Sequence, residues 1–135
     1  MEQQPKNNSS RGRGTPENPP NRFERRAYLP ILDSPHDEDG AVKTQYLKDA
    51  SRSLLTTNDS PDVGFDASIN PYRGCEHGCI YCYARPAHAY MGLSPGLDFE
   101  SKLFFKPHAA RLLESELSKP TYKPEFIHIG GNTDP

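Results

Sequence analysis

The chain has 135 residues, the length of one ordinary domain, but only 33% are apolar and mean hydropathy is −0.84. A packed domain runs nearer ~45–50% apolar, so much of this chain is not expected to pack. A formal charge of −2 gives no overall electrostatic case for nucleic acid or an anionic membrane, and apolar runs of a few residues exclude a transmembrane helix.

The opening residues Met1-Glu2-Gln3-Gln4-Pro5 lack the basic and apolar regions of a secretory signal, so the expected compartment is the cytoplasm. Residues 1–35 read as a disordered tail. Pro5, Pro16, Pro19 and Pro20 stand among Asn and Ser, and such a segment buries too little surface to offset its conformational entropy. Arg11, Arg13, Arg25 and Arg26 are diluted by Glu2, Glu17 and Glu24, which favours a solvated tail over a nucleic-acid arm.

Residues 36–64 form a poorly defined extension. Before it, Tyr28–Leu32 is an apolar patch in which Pro30 blocks a helix. Asp33–Gly40 is an acidic loop, Lys43–Leu55 has mixed helical character through Tyr46, Leu47, Leu54 and Leu55, and Thr56–Gly64 is loop again. From Phe65 the texture changes. Phe65, Ile69 and Tyr72 predict an extended segment leading to Gly74, and Pro71 biases Asn70 away from helix. Cys82–Met91 predicts a short helix that Pro86 breaks or starts, and Gly92–Asp98 predicts a loop.

Lys106–Lys119 carries the clearest helical pattern. Pro107 suits the first position, and Ala109, Ala110, Leu112, Leu113 and Leu117 form one core-facing side. Pro120 ends it. Glu125–Ile129 then reads as a buried strand running into Gly130-Gly131-Asn132-Thr133-Asp134-Pro135. Strand, loop, helix, strand predicts a parallel β/α arrangement with both loops at the carboxyl ends of strands. Two strands do not make a stable sheet. Residues 65–135 are therefore expected to be the start of a longer core, inactive by itself, with one helix face and one sheet edge uncovered.

All three cysteines fall in Cys75-Glu76-His77-Gly78-Cys79-Ile80-Tyr81-Cys82. Three reduced thiols at C-x3-C-x2-C are no disulfide framework. They suit a compact metal cluster, with Gly74 and Gly78 releasing the backbone where it bends. A [4Fe–4S] cubane normally takes four Cys, so three leave one iron open to bind a further ligand directly.

With Tyr81 as the aromatic, C-x3-C-x-aromatic-C resembles the cluster loop of the radical SAM superfamily. Asn70-Pro71-Tyr72-Arg73-Gly74-Cys75, then Cys82-Tyr83-Ala84, then Gly-Asn-Thr-Asp-Pro after the second strand, is similar to its spore-photoproduct-lyase-like (DNA repair photolyase-like) members. The resemblance covers roughly residues 65–135 and implies an α/β fold, an incomplete (β/α) partial barrel. It implies that Cys75, Cys79 and Cys82 ligate three irons, that S-adenosylmethionine chelates the fourth, and that Tyr81 lies against the adenine. Gly130, Gly131 and Asn132 would meet the methionine end. This chain has Gly-Gly-Asn where many members have Gly-Gly-Glu. The implied chemistry is lyase- or oxidoreductase-type: reductive cleavage of S-adenosylmethionine to a 5′-deoxyadenosyl radical. The implied partners are a reductant such as flavodoxin or ferredoxin and a nucleic-acid substrate, a DNA lesion, with no membrane.

Two other readings stand beside it. One is a small zinc module, with His77 or His88 completing Cys3His. The other is a non-catalytic truncated remnant. The remaining histidines read as follows: His77 tunes a cluster or faces solvent, His128 is a satisfied core or barrel-lining residue, and His108 is on the surface. Tyr83 and Tyr90 read as packing residues. Arg73 and Arg85 read as anion-binding or, more commonly near turns, exposed.

Overall fold

The computed structural model describes residues 13–15, 17–23 and 42–133. The readings of residues 1–12, 16, 24–41 and 134–135, including the Tyr28–Leu32 patch and the Asp33–Gly40 loop, lie outside them.

The described residues form six strands, in two three-stranded sheets. In the first, β5 (Lys102–Phe105) is central. It pairs in parallel with β1 (Gln45–Lys48), Gln45 opposite Lys102, and antiparallel with β4 (Tyr72–Arg73), Tyr72 opposite Phe105. The Arg73 guanidinium holds Asp49 at 3.1 Å, which ties β4 to the end of β1. In the second sheet, β3 (Ala67–Ile69) is central and buried along its whole length. It runs antiparallel to β2 (Leu55–Thr57) and parallel to β6 (Ile127–Ile129), with Ala67 opposite Ile127. The predicted extended segment from Phe65 and its parallel partner strand are therefore both present.

Three short helical elements complete the described residues. A 3-10 helix spans Arg85–Met91 with Pro86 in its first turn and Gly92 as its left-handed cap. Helix α1 (Leu97–Ser101) follows, and α2 (Ala109–Leu117) is the longest.

Several sequence readings need correction. The Lys43–Leu55 segment is no helix: it supplies β1 and the first residue of β2, because its backbone pairs with strands distant in sequence. Helix α1 and β5 occupy residues 97–105, where the sequence pattern shows no element before Lys106 except a loop ending at Asp98. Helix α2 starts later than predicted because the Lys106 N–H donates to Pro71 O at 2.9 Å, continuing the sheet. None of the α2 residues is buried, so its leucine side does not face a closed core among the described residues. Strand β6 is an edge strand: Ile129 is 58% exposed, and Phe126 just before it 94%.

The centre of the molecule is unusually polar. Leu54, Ala67, Ile69, Ala84, Ala89 and Phe99 are its buried apolar residues, and His88, Ser94, Asp98 and Glu100 are buried among them. This is how a chain of low hydropathy orders itself: hydrogen bonds satisfy what burial would otherwise penalise. Residues 13–15 and 17–23 take part, against their reading as disordered tail. Asn21 is buried and donates to Ala89 O (3.0 Å) and Leu93 O (3.1 Å), while Ser94 donates to Pro19 O at 2.7 Å.

Candidate functional site: a three-cysteine cleft

Parallel pairing of β3 with β6 brings the carboxyl ends of both strands to the same end of their sheet, and two loops leave from there. The first runs through β4 to Gly74, whose φ of +87° turns the chain into Cys75. The Cys75 N–H donates to Phe99 O at 3.1 Å. Gly78, at φ +66°, makes the second bend. The Cys82 N–H donates to Cys79 O at 3.2 Å, which closes a tight turn before the 3-10 helix.

The second loop is tied to the first. Gly130 N–H donates to Ile69 O (3.2 Å), Asn132 N–H to Asn70 Oδ1 (2.9 Å) and the Thr133 hydroxyl to Gly74 O (2.6 Å). The result is a cleft of about 280 Å3 lined by Cys75, His77, Cys79, Cys82, Gly130 and Gly131, and also by Tyr83, Ala84 and Thr133. All three cysteines are half-buried thiols. A neighbouring apolar cavity of about 420 Å3 lies between Tyr46, Tyr72 and β5, and Thr133 lines both.

Of the residues predicted for the site, the three cysteines, Gly130 and Gly131 come together. Tyr81 does not line the cleft and is 86% exposed. Asn132 enters through its backbone bond to Asn70. His77 lines the cleft, whereas His88 is fully buried elsewhere, with Nε2 against Lys102 O at 2.9 Å. His128 is exposed and stacks on Phe65, centroids 4.4 Å apart, so it is not a core residue. Tyr83 is exposed, and Tyr90, though exposed, packs against Phe23 with ring centroids 5.0 Å apart. Arg85 is buried and Arg73 half-buried, contrary to exposed turn arginines. The residues that sequence reasoning missed are Asn70 and Thr133, the ties between the loops. Both fall within quoted motif strings, yet their role depends on a strand pairing that local spacing does not reveal.

The electrostatics around the site come from buried groups. Burial alone would raise the Glu100 carboxyl, but bonds from Arg85, Thr15 and Gly14 outweigh it and hold it below the usual carboxylate range. Burial pushes the His88 imidazole down, and among the described residues its Nδ1 has no hydrogen-bond partner. Among the described residues no three His, Cys, Asp or Glu side chains are arranged to hold a single metal ion.

No family model matches the chain, and no solved structure matches it. It is similar to proteins named "uncharacterized protein" from Mycobacterium tuberculosis (strains H37Rv and CDC 1551) and Mycobacterium bovis, each 44% identical over 71 residues. That stretch covers 53% of this chain and 21% of each relative, so the chain spans about one fifth of the curated relatives it matches.

Proposed function

We propose that this chain carries the cofactor-binding start of a radical SAM enzyme, with an α/β fold of the incomplete-barrel type. Cys75, Cys79 and Cys82 each hold one iron of a [4Fe–4S] cluster, and S-adenosylmethionine takes the open iron beside Gly130 and Gly131. One observation carries the reading: three thiols and a two-glycine loop from distant parts of the sequence line one cleft.

The residues present fit the group. The donors are soft thiols, none in a disulfide, and thiolates are the usual ligands of iron–sulfur clusters. A cubane spreads its ligands over separate irons, so it does not require the three sulfurs to converge on one point. Gly131 adds no side chain to the cleft, and the Thr133–Gly74 and Asn132–Asn70 bonds fix the distance between the two walls. When bound, cluster and sulfonium together supply one-electron reductive cleavage and hydrogen-atom abstraction. The chain's own part would be to hold the three thiols on one wall of the cleft and present the glycine loop on the other.

The external reductant and a nucleic-acid substrate remain part of this proposal through the resemblance. The test is anaerobic reconstitution with iron and sulfide, followed by S-adenosylmethionine. The proposal requires a brown protein whose reduced-cluster EPR signal changes when S-adenosylmethionine is added. A colourless chain holding one zinc would refute it.

A further inference from the structure

Glu100 is fully buried, and its two carboxylate oxygens face different segments. One accepts the Arg85 guanidinium at 2.6 Å, and the other accepts the Gly14 N–H at 2.8 Å. Arg85 is itself buried and uses its whole fork. Nε donates to Cys79 O at 2.8 Å, and Nη1 reaches Pro95 O and Gly96 O at 3.2 Å each. One buried ion pair thus joins residues 13–15, the cysteine loop, the Pro95–Gly96 turn and α1.

The residues beyond this pair extend the same seam. Arg13 donates to Glu100 O and Val42 O at 2.8 Å each and to the Thr44 hydroxyl at 2.7 Å, and lies 3.8 Å from Glu76 inside the cysteine loop. Gly14 passes so close to Gly78 that a Cβ on it would collide with the Gly78 carbonyl. Further along, Leu97 N–H donates to Glu17 O at 3.0 Å, and Asn18 exchanges two hydrogen bonds with Asp98. Every one of these contacts lands on the cysteine loop, on the Val42–Thr44 segment or on the helical segment behind the loop.

A buried ion pair is weak evidence of net stabilisation, since desolvation offsets much of the attraction. Its geometry is informative in another way. Three of the Arg85 contacts are to backbone carbonyls, and one of those carbonyls belongs to a cysteine. A planar fork fixes directions that a lysine ammonium does not. We propose that residues 13–15 and 17–23 are a strap that sets the shape of the cysteine loop, with Arg85 and Glu100 as positioning residues. They act on the thiols through Cys79 O and Gly78 without touching what the thiols bind. The strap rests on the three-thiol reading only for its consequence, cluster retention; its effect on the loop stands by itself.

The experiment compares the full chain with Arg85→Lys and Gly14→Val. Arg85→Lys keeps a cation opposite Glu100 but loses the fork. A side chain at Gly14 meets the Gly78 carbonyl, so Gly14→Val pushes the strap off the loop without truncating the buried pair. Alkylation of each cysteine is followed by mass spectrometry in metal-free protein, with hydrogen exchange of the 75–83 and 67–69 segments read alongside. Loss of the charged hydrogen bond at Cys79 should speed its alkylation about tenfold in Arg85→Lys, and displacement of the strap from Gly78 should raise it in the same direction in Gly14→Val, with 67–69 changed less than about twofold in both. Parallel loosening of both segments would mean a merely structural pair and would overturn the proposal, as would unchanged Cys79 reactivity. Iron content after reconstitution is read separately. A wild-type chain that takes up no iron refutes the cluster, while the alkylation ratio still decides the strap.

Discussion

Gly74→Ala is the sharpest test of how the cleft is built. Gly74 stands at φ +87° immediately before Cys75. A non-glycine residue in the left-handed region costs about 1–2 kcal/mol. The added Cβ would lie 2.8 Å from Phe99 O and 3.0 Å from His88 Cε1. Neither can step aside cheaply, since Phe99 is 2% exposed and His88 0%. Overpacking of this kind costs about 1–3 kcal/mol. Phe99 O is also the acceptor for Cys75 N–H, so the shift weakens a bond worth about 1 kcal/mol. The expected loss is roughly 3 kcal/mol or more, about two decades in the unfolding constant. Gly64→Ala is the control, because nothing among the described residues lies within 4 Å of a Cβ there. Alanine at such a site is neutral or stabilising by up to about 1 kcal/mol. Urea denaturation followed by circular dichroism reads both. If the two variants agree within about 0.5 kcal/mol, the positive φ and the packing against Phe99 are not what shape the loop.

Asn70→Ala removes the acceptor of the Asn132 N–H, so hydrogen exchange at Asn132 should accelerate about tenfold while α2 is unchanged. Acid should weaken the fold in two windows. His88 is neutral when folded but protonates below about 6.5 when unfolded, so stability falls as pH drops from there toward its lowered folded value. Glu100 has a depressed folded value, so its contribution is present above the ordinary carboxylate range and is lost as pH falls through that folded value. His88→Leu should flatten the upper window, and an unchanged pH–stability profile in that variant would contradict the assignment. Glu116→Gln should loosen the start of β2, because its carboxylate accepts Leu54 N–H and Leu55 N–H at 3.0 and 2.9 Å; unaltered exchange at Leu55 would count against that tie.

The parts of the fold legible in the sequence are those set by local rules. Pro86 opens a 3-10 turn, Phe65 to Tyr72 is extended, and the leucines of α2 recur at helical spacing. The two bends in the cysteine loop also followed from Gly74 and Gly78, because only glycine adopts positive φ without strain. What stayed hidden depends on partners far away. Tyr46 and Leu47 are adjacent apolar residues with no alternation, and they become strand only because β5 pairs with them. Arg13, Asn18 and Asn21 look like solvated tail residues by composition, yet they dock by hydrogen bonds, which hydropathy does not register. The cleft itself was half legible: the thiols and glycines are motif residues, but Asn70 and Thr133 act only once β3 and β6 lie side by side.

The most direct measurement is the iron and sulfide content of the anaerobically reconstituted chain, compared with Cys79→Ala. The proposed cluster predicts about four irons and four sulfides per wild-type chain, with a broad visible absorbance, and loss of most of both in the variant. Equal loading of wild type and Cys79→Ala, or one zinc in a colourless wild-type chain, would contradict it.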